Sequence, residues 1–291
     1  MDSSKIKKHN SKIKNPVLSP EDLTFWEENG YVVIPEAVPA ENLQAVIDDV
    51  WWFLGMDPDD PEDWYRPPHN PGGMIEMYQT QSLWNNRQSP RVHQAFAEIW
   101  GTENLWVSMD RANMKPPIRP DQAEWDHDGM IHWDLDTSKE PRVKLSVQGV
   151  LYLTDTAENQ GGFQCVPGFI HQYETWIKGQ PSDRDPMRPD CSEMNAMPIP
   201  GKAGDLLIWH SFLPHANSRN TSNLPRLAQY MTMSPVGDYE EEVRQSRIAM
   251  WQDRLSPNGK AFPGDDRHIE GENPPAELTD LGQKLLGLVN W

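Results

Sequence analysis

The chain has 291 residues, with 44 acidic and 26 basic side chains and a formal net charge of −18. That balance argues against nucleic acid and anionic membranes as partners, because both require a positive protein surface. Two cysteines, Cys165 and Cys191, make neither a disulfide framework nor a thiolate zinc site, and they fit a reducing cytoplasm.

Residues 1–17 read as a flexible basic tail carrying Lys5, Lys7, Lys8, Lys12 and Lys14, without the apolar stretch of a secretory signal. No apolar run reaches membrane-spanning length. Residues 18–291 read as one domain, since no Gly/Ser linker or charge block divides them. We expect a helical module at 18–103, a β core at 104–235 and a helical extension at 236–291.

Ser19-Pro20-Glu21-Asp22 opens the first helix with a cap, a proline at the first position and acids in the first turn. Asn29-Gly30 closes it, and Tyr31-Val32-Val33-Ile34 follows as a strand. A second helix starts at Pro39-Ala40-Glu41, with Leu43, Val46, Ile47, Val50 and Leu54 on one face and Gly55 at its end. Residues 56–73 are polar and proline-rich and read as a long ordered loop. Ser89-Pro90 begins another helix, which buries Val92, Phe96, Ile99 and Trp100.

Beyond residue 104 the character changes to short strands, expected at 105–114, 131–135, 143–153, 163–166, 205–209 and 226–233. Turn chemistry separates them at Asn159-Gln160-Gly161-Gly162 and Pro167-Gly168. A loop at 179–200, dense in Pro, Asp and Met, interrupts the series. This pattern indicates a mainly β protein, an antiparallel sandwich or barrel, with helices at 239–251 and 275–288 packing outside it.

The chemistry centres on His132-Trp133-Asp134. In a strand, alternate side chains share a face, so His132 and Asp134 point one way and Trp133 the other. An imidazole and a carboxylate side by side are two members of a 2-His-1-carboxylate triad, a donor set suited to Fe(II) with open positions. The pattern is short, and a surface histidine near an aspartate has the same spelling. The third ligand would come from Gly204-Asp205-Leu206-Leu207-Ile208-Trp209-His210-Ser211-Phe212-Leu213-Pro214-His215. His215 is preferred, because Pro214 fixes the path before it and a strand-like His215-Ala216-Asn217-Ser218 follows. His210 reads as a hydrogen-bonded histidine at a strand end. The 83 residues between His132 and His215 leave room for several strands. Eleven residues past His215 comes Arg226, whose planar fork suits a carboxylate; a surface ion pair is the plain alternative.

Taken together, these residues resemble the phytanoyl-CoA dioxygenase family of Fe(II)/2-oxoglutarate oxygenases, from roughly residue 18 to 234. The likeness rests on ordered pieces. They are the opening Leu23-Thr24-Phe25-Trp26-Glu27-Glu28-Asn29-Gly30-Tyr31-Val32-Val33-Ile34-Pro35, then Lys115-Pro116-Pro117, then His132-Trp133-Asp134. Asn159-Gln160-Gly161-Gly162, Val166-Pro167-Gly168-Phe169-Ile170-His171 and Gly204-Asp205 with His215 and Arg226 complete the order.

The resemblance implies a double-stranded β-helix (jelly-roll, cupin-like) core, with Fe(II) held by His132, Asp134 and His215. It implies 2-oxoglutarate and O2 as co-substrates, with Arg226 on the far carboxylate of 2-oxoglutarate. Asn217 stands where the family often has a small hydroxyl residue that helps hold the co-substrate. Gln148 and Arg111 lie on strands where related enzymes aim residues at 2-oxoglutarate or substrate. Trp133 fills a position that is often Gln, and Pro167-Gly168-Phe169 lacks the usual Ser or Thr. The implied reaction oxidises a small molecule, most simply by hydroxylation, and releases succinate and CO2. Asp134 disfavours halogenation, since halogenating relatives have a small residue there.

The rival readings are a cupin-like metal hydrolase or isomerase, a non-catalytic binding protein on the same core, and a hydroxylase of acyl-CoA thioesters. The acidic charge weighs against the last. We expect a monomer or homodimer acting on a small or medium organic molecule with apolar bulk, held between the N-terminal helical module and the barrel mouth. Trp64, Trp84, Trp125 and Trp133 fall in segments expected to rim its pocket, although any one indole can equally be packing. His127, Asp128 and Arg111 are the expected polar anchors.

Overall fold

The computed structural model describes residues 15–126, 129–190, 192, 194–237, 241–257, 264–265 and 267–291. The basic tail up to residue 14, together with His127, Asp128, Cys191 and Tyr239, lies outside the described residues.

Helix α1 (Pro20–Asn29) begins with a reciprocal capping box between Ser19 and Asp22 and ends at Gly30, whose φ of 76° suits glycine. Strand β1 (Tyr31–Ile34) leads to α2 (Ala40–Leu54), which buries Leu43, Val46, Val50 and Leu54 as its spacing requires. The loop after Gly55 is ordered, and β2 (Met74–Ile75) and α3 (Gln81–Arg87) follow it. Helix α4 (Pro90–Trp100) buries Val92, Phe96 and Ile99.

The expected strand at 105–114 is two strands, β3 (Leu105–Val107) and β4 (Ala112–Lys115). Its partner at 226–233 is likewise divided into β10 (Arg226–Tyr230) and β11 (Met233–Pro235). Between the two pieces the pairing shifts by one residue, from Met233 opposite Val107 to Gln229 opposite Ala112, and the Thr232 N–H donates 2.9 Å to the Ser108 hydroxyl. The remaining strands are β5 (Val147–Tyr152), β6 (Phe163–Cys165), β7 (Met197–Pro198), β8 (Leu206–His210) and β9 (His215–Asn217). A short helix α5 (Tyr173–Trp176) follows β6. Helices α6 (Glu241–Gln252) and α7 (Asp280–Leu286) end the chain.

A six-stranded antiparallel sheet has the order β1-β8-β5-β10-β4-β2, and a three-stranded sheet the order β7-β6-β9. These are the two faces of a jelly-roll, with strands flanked by helices as expected, although backbone pairing among the described residues does not close them into a continuous barrel. Strand alternation divides the core in two. Val32, Ile34, Ala112, Met114, Leu151, Leu206, Ile208 and Leu227 pack on one side of the large sheet with α2 and α4. Val150, Tyr152, Leu207, Trp209 and Ala228 face Phe163, Cys165 and Phe212 on the other. The site lies on that second, inner side.

The expected strand at 131–135 is not one. His132 alone makes a bridge, to His215, with both backbone hydrogen bonds present at 3.0 and 3.1 Å. The segment is held on its other edge by the 179–200 loop, since the Trp133 N–H donates to the Met187 carbonyl at 2.9 Å.

Candidate metal centre and anion pocket

Trp133 fixes the orientation of its neighbours. Its indole is fully buried against Phe169, Tyr173 and Trp176, and its Nε1 donates to the Phe212 carbonyl at 2.9 Å. Burying a side chain of that size contributes roughly 2–3 kcal/mol. With Trp133 packed into that aromatic cluster, His132 and Asp134 are left to face His215.

His132 Nε2 lies 3.4 Å from Asp134 Oδ1, and His215 Nε2 lies 3.3 Å from Asp134 Oδ2. One donor atom from each of the three falls within 4.8 Å of the others. Both histidines are set in the same tautomer. Nδ1–H of His132 donates to the Met130 carbonyl at 2.9 Å, and Nδ1–H of His215 to the Leu213 carbonyl at 3.0 Å. Each Nε2 lone pair is thereby left to face Asp134, the arrangement that metal-binding histidines need. Bonds of about 2.0–2.2 Å to a metal place neighbouring donors roughly 3 Å apart, which this spacing accommodates. Two imidazoles and a carboxylate fit Fe(II).

The electrostatics agree. Burial opposes ionisation of Asp134, but Gln148 and the imidazoles of His132 and His215, which hydrogen-bond the carboxylate once protonated at Nε2, outweigh it and hold the carboxyl well below its usual range. The same pairing, made only by the protonated ring, pulls His132 upward against the effect of burial. Gln148 Nε2 donates 2.6 Å to Asp134 Oδ2, so Gln148 bears on the carboxylate ligand. His210 is outside this cluster. Its ring is fully buried beside Trp26, its Nδ1 accepts the Phe212 N–H at 3.2 Å, and burial pushes its pKa down to about 4.

Farther along the inner face lies Arg226, fully buried. Its Nη1 donates to Asn113 Oδ1 at 2.8 Å and to the Tyr230 hydroxyl at 3.3 Å. Its Nε and Nη2 have no hydrogen-bond partner among the described residues. The plain alternative, a surface ion pair, does not apply to a buried side chain. A guanidinium taken out of water with two donors unsatisfied is costly unless an anion meets it. Lys115 is the register partner of Arg226 on β4, is also buried, and donates 2.6 Å to the Ser218 carbonyl. A polar chain connects this basic end to the metal ligands: Asn217 Nδ2 donates to the Tyr230 hydroxyl at 2.9 Å, and Asn217 lies two residues after His215. An anion is the group that satisfies the two unpartnered donors of Arg226.

Asn113 and Tyr230 carry this arrangement without having been singled out in the sequence. Their signal was available, since residues 226, 228 and 230 share one face of β10 and residues 113 and 115 share the facing side of β4. Arg111 is placed elsewhere on the wall, its guanidinium 5.7 Å over the Tyr78 ring and its Nε 3.2 Å from Asp110. The four indoles expected at a pocket rim are core residues. Trp64, Trp84, Trp125 and Trp133 are 0–6% exposed, which leaves no free ring face for a substrate.

With this geometry in place, the comparison with known proteins is decisive for the family. Residues 26–228 match the family model described as phytanoyl-CoA dioxygenase (PhyH). The chain belongs to the phytanoyl-CoA dioxygenase family. It is therefore a dioxygenase-family enzyme, and the match spans both the helical opening and the strands that bring the candidate ligands together.

Relatives within reach of this family are distant. A Dictyostelium discoideum protein that carries the phytanoyl-CoA dioxygenase name is 23% identical over 273 residues, covering 77% of each chain. The ectoine dioxygenase of Bordetella bronchiseptica is 24% identical over 239 residues, covering 75% of this chain and 76% of its own. Among solved structures, the epimerase SnoN, in complex with Fe3+, α-ketoglutarate and nogalamycin RO, superimposes with a TM-score of 0.53. It is 18% identical, with 89% of this chain and 94% of that one covered. At that identity the likeness carries the fold.

Proposed function

We propose that this phytanoyl-CoA dioxygenase family member oxidises a small organic molecule using Fe(II), O2 and 2-oxoglutarate. His132, Asp134 and His215 would hold the metal. Arg226, supported by Lys115, Asn217 and Tyr230, would receive the far carboxylate of 2-oxoglutarate. The observation that carries this reading is the buried Arg226 without a carboxylate partner among the described residues, linked through the Tyr230 hydroxyl to Asn217, two residues after His215. The triad alone also suits a cupin-like hydrolase or isomerase, but such an enzyme has no use for a buried cation reserved for an anion.

When bound, iron supplies the oxidising power, drawn from O2 and the decarboxylation of 2-oxoglutarate to succinate and CO2. The protein's own groups do the positioning. The two Nδ1–H bonds to backbone carbonyls fix the imidazoles, Gln148 holds one oxygen of Asp134, and Arg226 sets the register of the co-substrate. Trp133, Phe163 and Trp209 form an apolar backing that excludes water behind the ligands. The carboxylate at Asp134 favours hydroxylation or another oxygen-dependent oxidation over halogenation.

No helix among the described residues is long and apolar enough to cross a membrane. A cytoplasmic location and a monomer or homodimer without nucleic-acid partners complete the reading, supported by the acidic charge. The test is stoichiometric. Iron-loaded protein exposed to O2 is expected to convert 2-oxoglutarate to succinate, faster when an accepted substrate is present. Metal binding without any 2-oxoglutarate turnover, across a broad metabolite pool, would move the assignment to the hydrolase class.

A further inference from the structure

The metal-ligand segment is gripped on both edges, by β9 on one and by the 179–200 loop on the other. On the loop side, the Trp133 N–H donates to the Met187 carbonyl at 2.9 Å and the Thr137 N–H to the Pro186 carbonyl at 3.3 Å. The Thr137 hydroxyl, in a side chain only 1% exposed, also bonds the Pro186 carbonyl, and Arg184 Nη2 donates to that hydroxyl at 2.7 Å. Arg184 in turn lies 5.8 Å over the Trp176 ring. These contacts dock the loop firmly and carry Met187 and Arg188 to the edge of the centre.

This is also where the centre opens. The side chains of His132 and Asp134 are 39% and 50% exposed, whereas that of His215 is 6% exposed. Two large apolar side chains are exposed on the residues whose carbonyls meet this segment, Met130 at 50% and Met187 at 44%. Exposed thioethers leave apolar surface in water for no structural gain, but they make an adaptable grip for an apolar ligand. Arg188 stands beside them. Among the described residues its guanidinium has one weak ion pair, Nε to Asp185 at 3.6 Å, with both side chains more than half exposed. Such a pair stabilises little and yields to a better-placed carboxylate.

We infer that the docked loop selects the substrate, with Met130 and Met187 gripping an apolar body and Arg188 holding a carboxylate on it. The inference rests on the proposed function and adds a substrate class, compact amphipathic carboxylic acids. A single carboxylate is the anion that reconciles a fork-shaped cation at the rim with a chain of net charge −18, which repels polyphosphates. Arg188 is a specificity residue here and has no part in holding metal or co-substrate.

The test uses full-length protein loaded with redox-inert Zn(II) and 2-oxoglutarate, with methionine methyl groups labelled for NMR. Met130 and Met187 are assigned with Met130→Leu and Met187→Leu. The probes are octanoate, cyclohexanecarboxylate and phenylacetate, each beside its methyl ester. At least one acid is expected to shift the Met130 and Met187 methyl signals and to bind about tenfold or more tightly than its ester. Arg188→Gln is expected to abolish that difference, and Arg188→Lys to restore part of it. If no acid moves those methyl signals, or if Arg188→Gln keeps the full preference for acids, the inference is overturned. Co(II) absorption and 2-oxoglutarate binding, followed separately, report on the underlying site. Their loss in the unmutated protein would sink the proposed function itself, whereas their retention confines any failure to the loop.

Discussion

His215 Nε2 sits 3.3 Å from Asp134 Oδ2, although 81 residues separate them in the chain. The contact exists because β9 bridges backbone to backbone with His132, which puts both histidines against one carboxylate. Removing any of the three donors therefore leaves an incomplete site. His132→Ala, Asp134→Ala and His215→Ala are each expected to lose tight Fe(II) or Co(II) binding and nearly all turnover. His210→Ala should keep metal binding while losing on the order of 2–3 kcal/mol of stability, from the cavity left by a buried ring. Titration with Co(II) beside denaturant unfolding distinguishes the two outcomes, and metal loss in His210→Ala alone would reassign the distal ligand.

Arg226→Ala is expected to raise the 2-oxoglutarate requirement sharply. Truncating one member of a buried charged pair costs about 2–5 kcal/mol in affinity. Metal binding should survive, because Arg226 touches Asn113 and Tyr230 rather than the donors. Tyr230→Phe should weaken the co-substrate by less, since it removes one hydroxyl that bonds both Asn217 and Arg226. Binding of 2-oxoglutarate by calorimetry under anaerobic conditions is the measurement. An unchanged affinity in Arg226→Ala would shift the anchor to Lys115 or Arg111.

Gly129 has a φ of 55°, and a Cβ placed on it would meet the Asn217 carbonyl oxygen at 1.7 Å. No side chain fits there without displacing β9. Gly129→Ala is expected to disturb Asn217 and, two residues before it, His215. The expected result is a folded protein with weakened binding of both metal and 2-oxoglutarate, read by Co(II) absorption and calorimetry. Wild-type affinities in that variant would show that β9 tolerates the shift.

His69 provides a pH prediction away from the metal. Its Nε2 donates to the Met114 carbonyl at 2.7 Å, and burial pushes its pKa down to about 4 despite that bond. The folded state thus resists protonation that the unfolded chain accepts near its ordinary value of 6.5. Stability from the neutral buried ring is present above that value and is lost progressively as pH falls toward 4. The gap corresponds to about 3 kcal/mol. In His69→Gln, which cannot titrate, the acid-side decline should be shallower. Unfolding free energies at neutral pH and near pH 4, compared between the two proteins, check the slope; equal slopes would mean that the ring is solvated.

Much of the local structure was legible because it depends on neighbours in sequence. The Ser19 cap, the stop at Gly30 and the apolar face of α2 follow from side chains a few positions apart. The separate orientations of Trp133 and Asp134 were expected from a strand period, but the segment makes only the His132 bridge and is held by its partners at His215 and Met187. The misread stretches were those where a distant partner intervened. The 105–114 run is divided where its pairing with the distant 226–235 run shifts by one residue, and the indoles turned inward because helices and loops covered them.

The sequence by itself determined the chemical inventory: two histidines, a carboxylate and an arginine in the order His132, Asp134, His215, Arg226. It also determined the short strands, through alternating apolar residues. Only the tertiary structure decided which histidine joins the first two, since His210 and His215 differ locally by little but point to opposite sides of the chain path. Tertiary structure likewise decided that Arg226 is buried without a carboxylate partner among the described residues, and that Met187 and Arg188 stand beside the centre. The physical reason is the same in each case. Burial and electrostatic complementarity are properties of surfaces brought together by folding, and no window of neighbouring residues contains both surfaces.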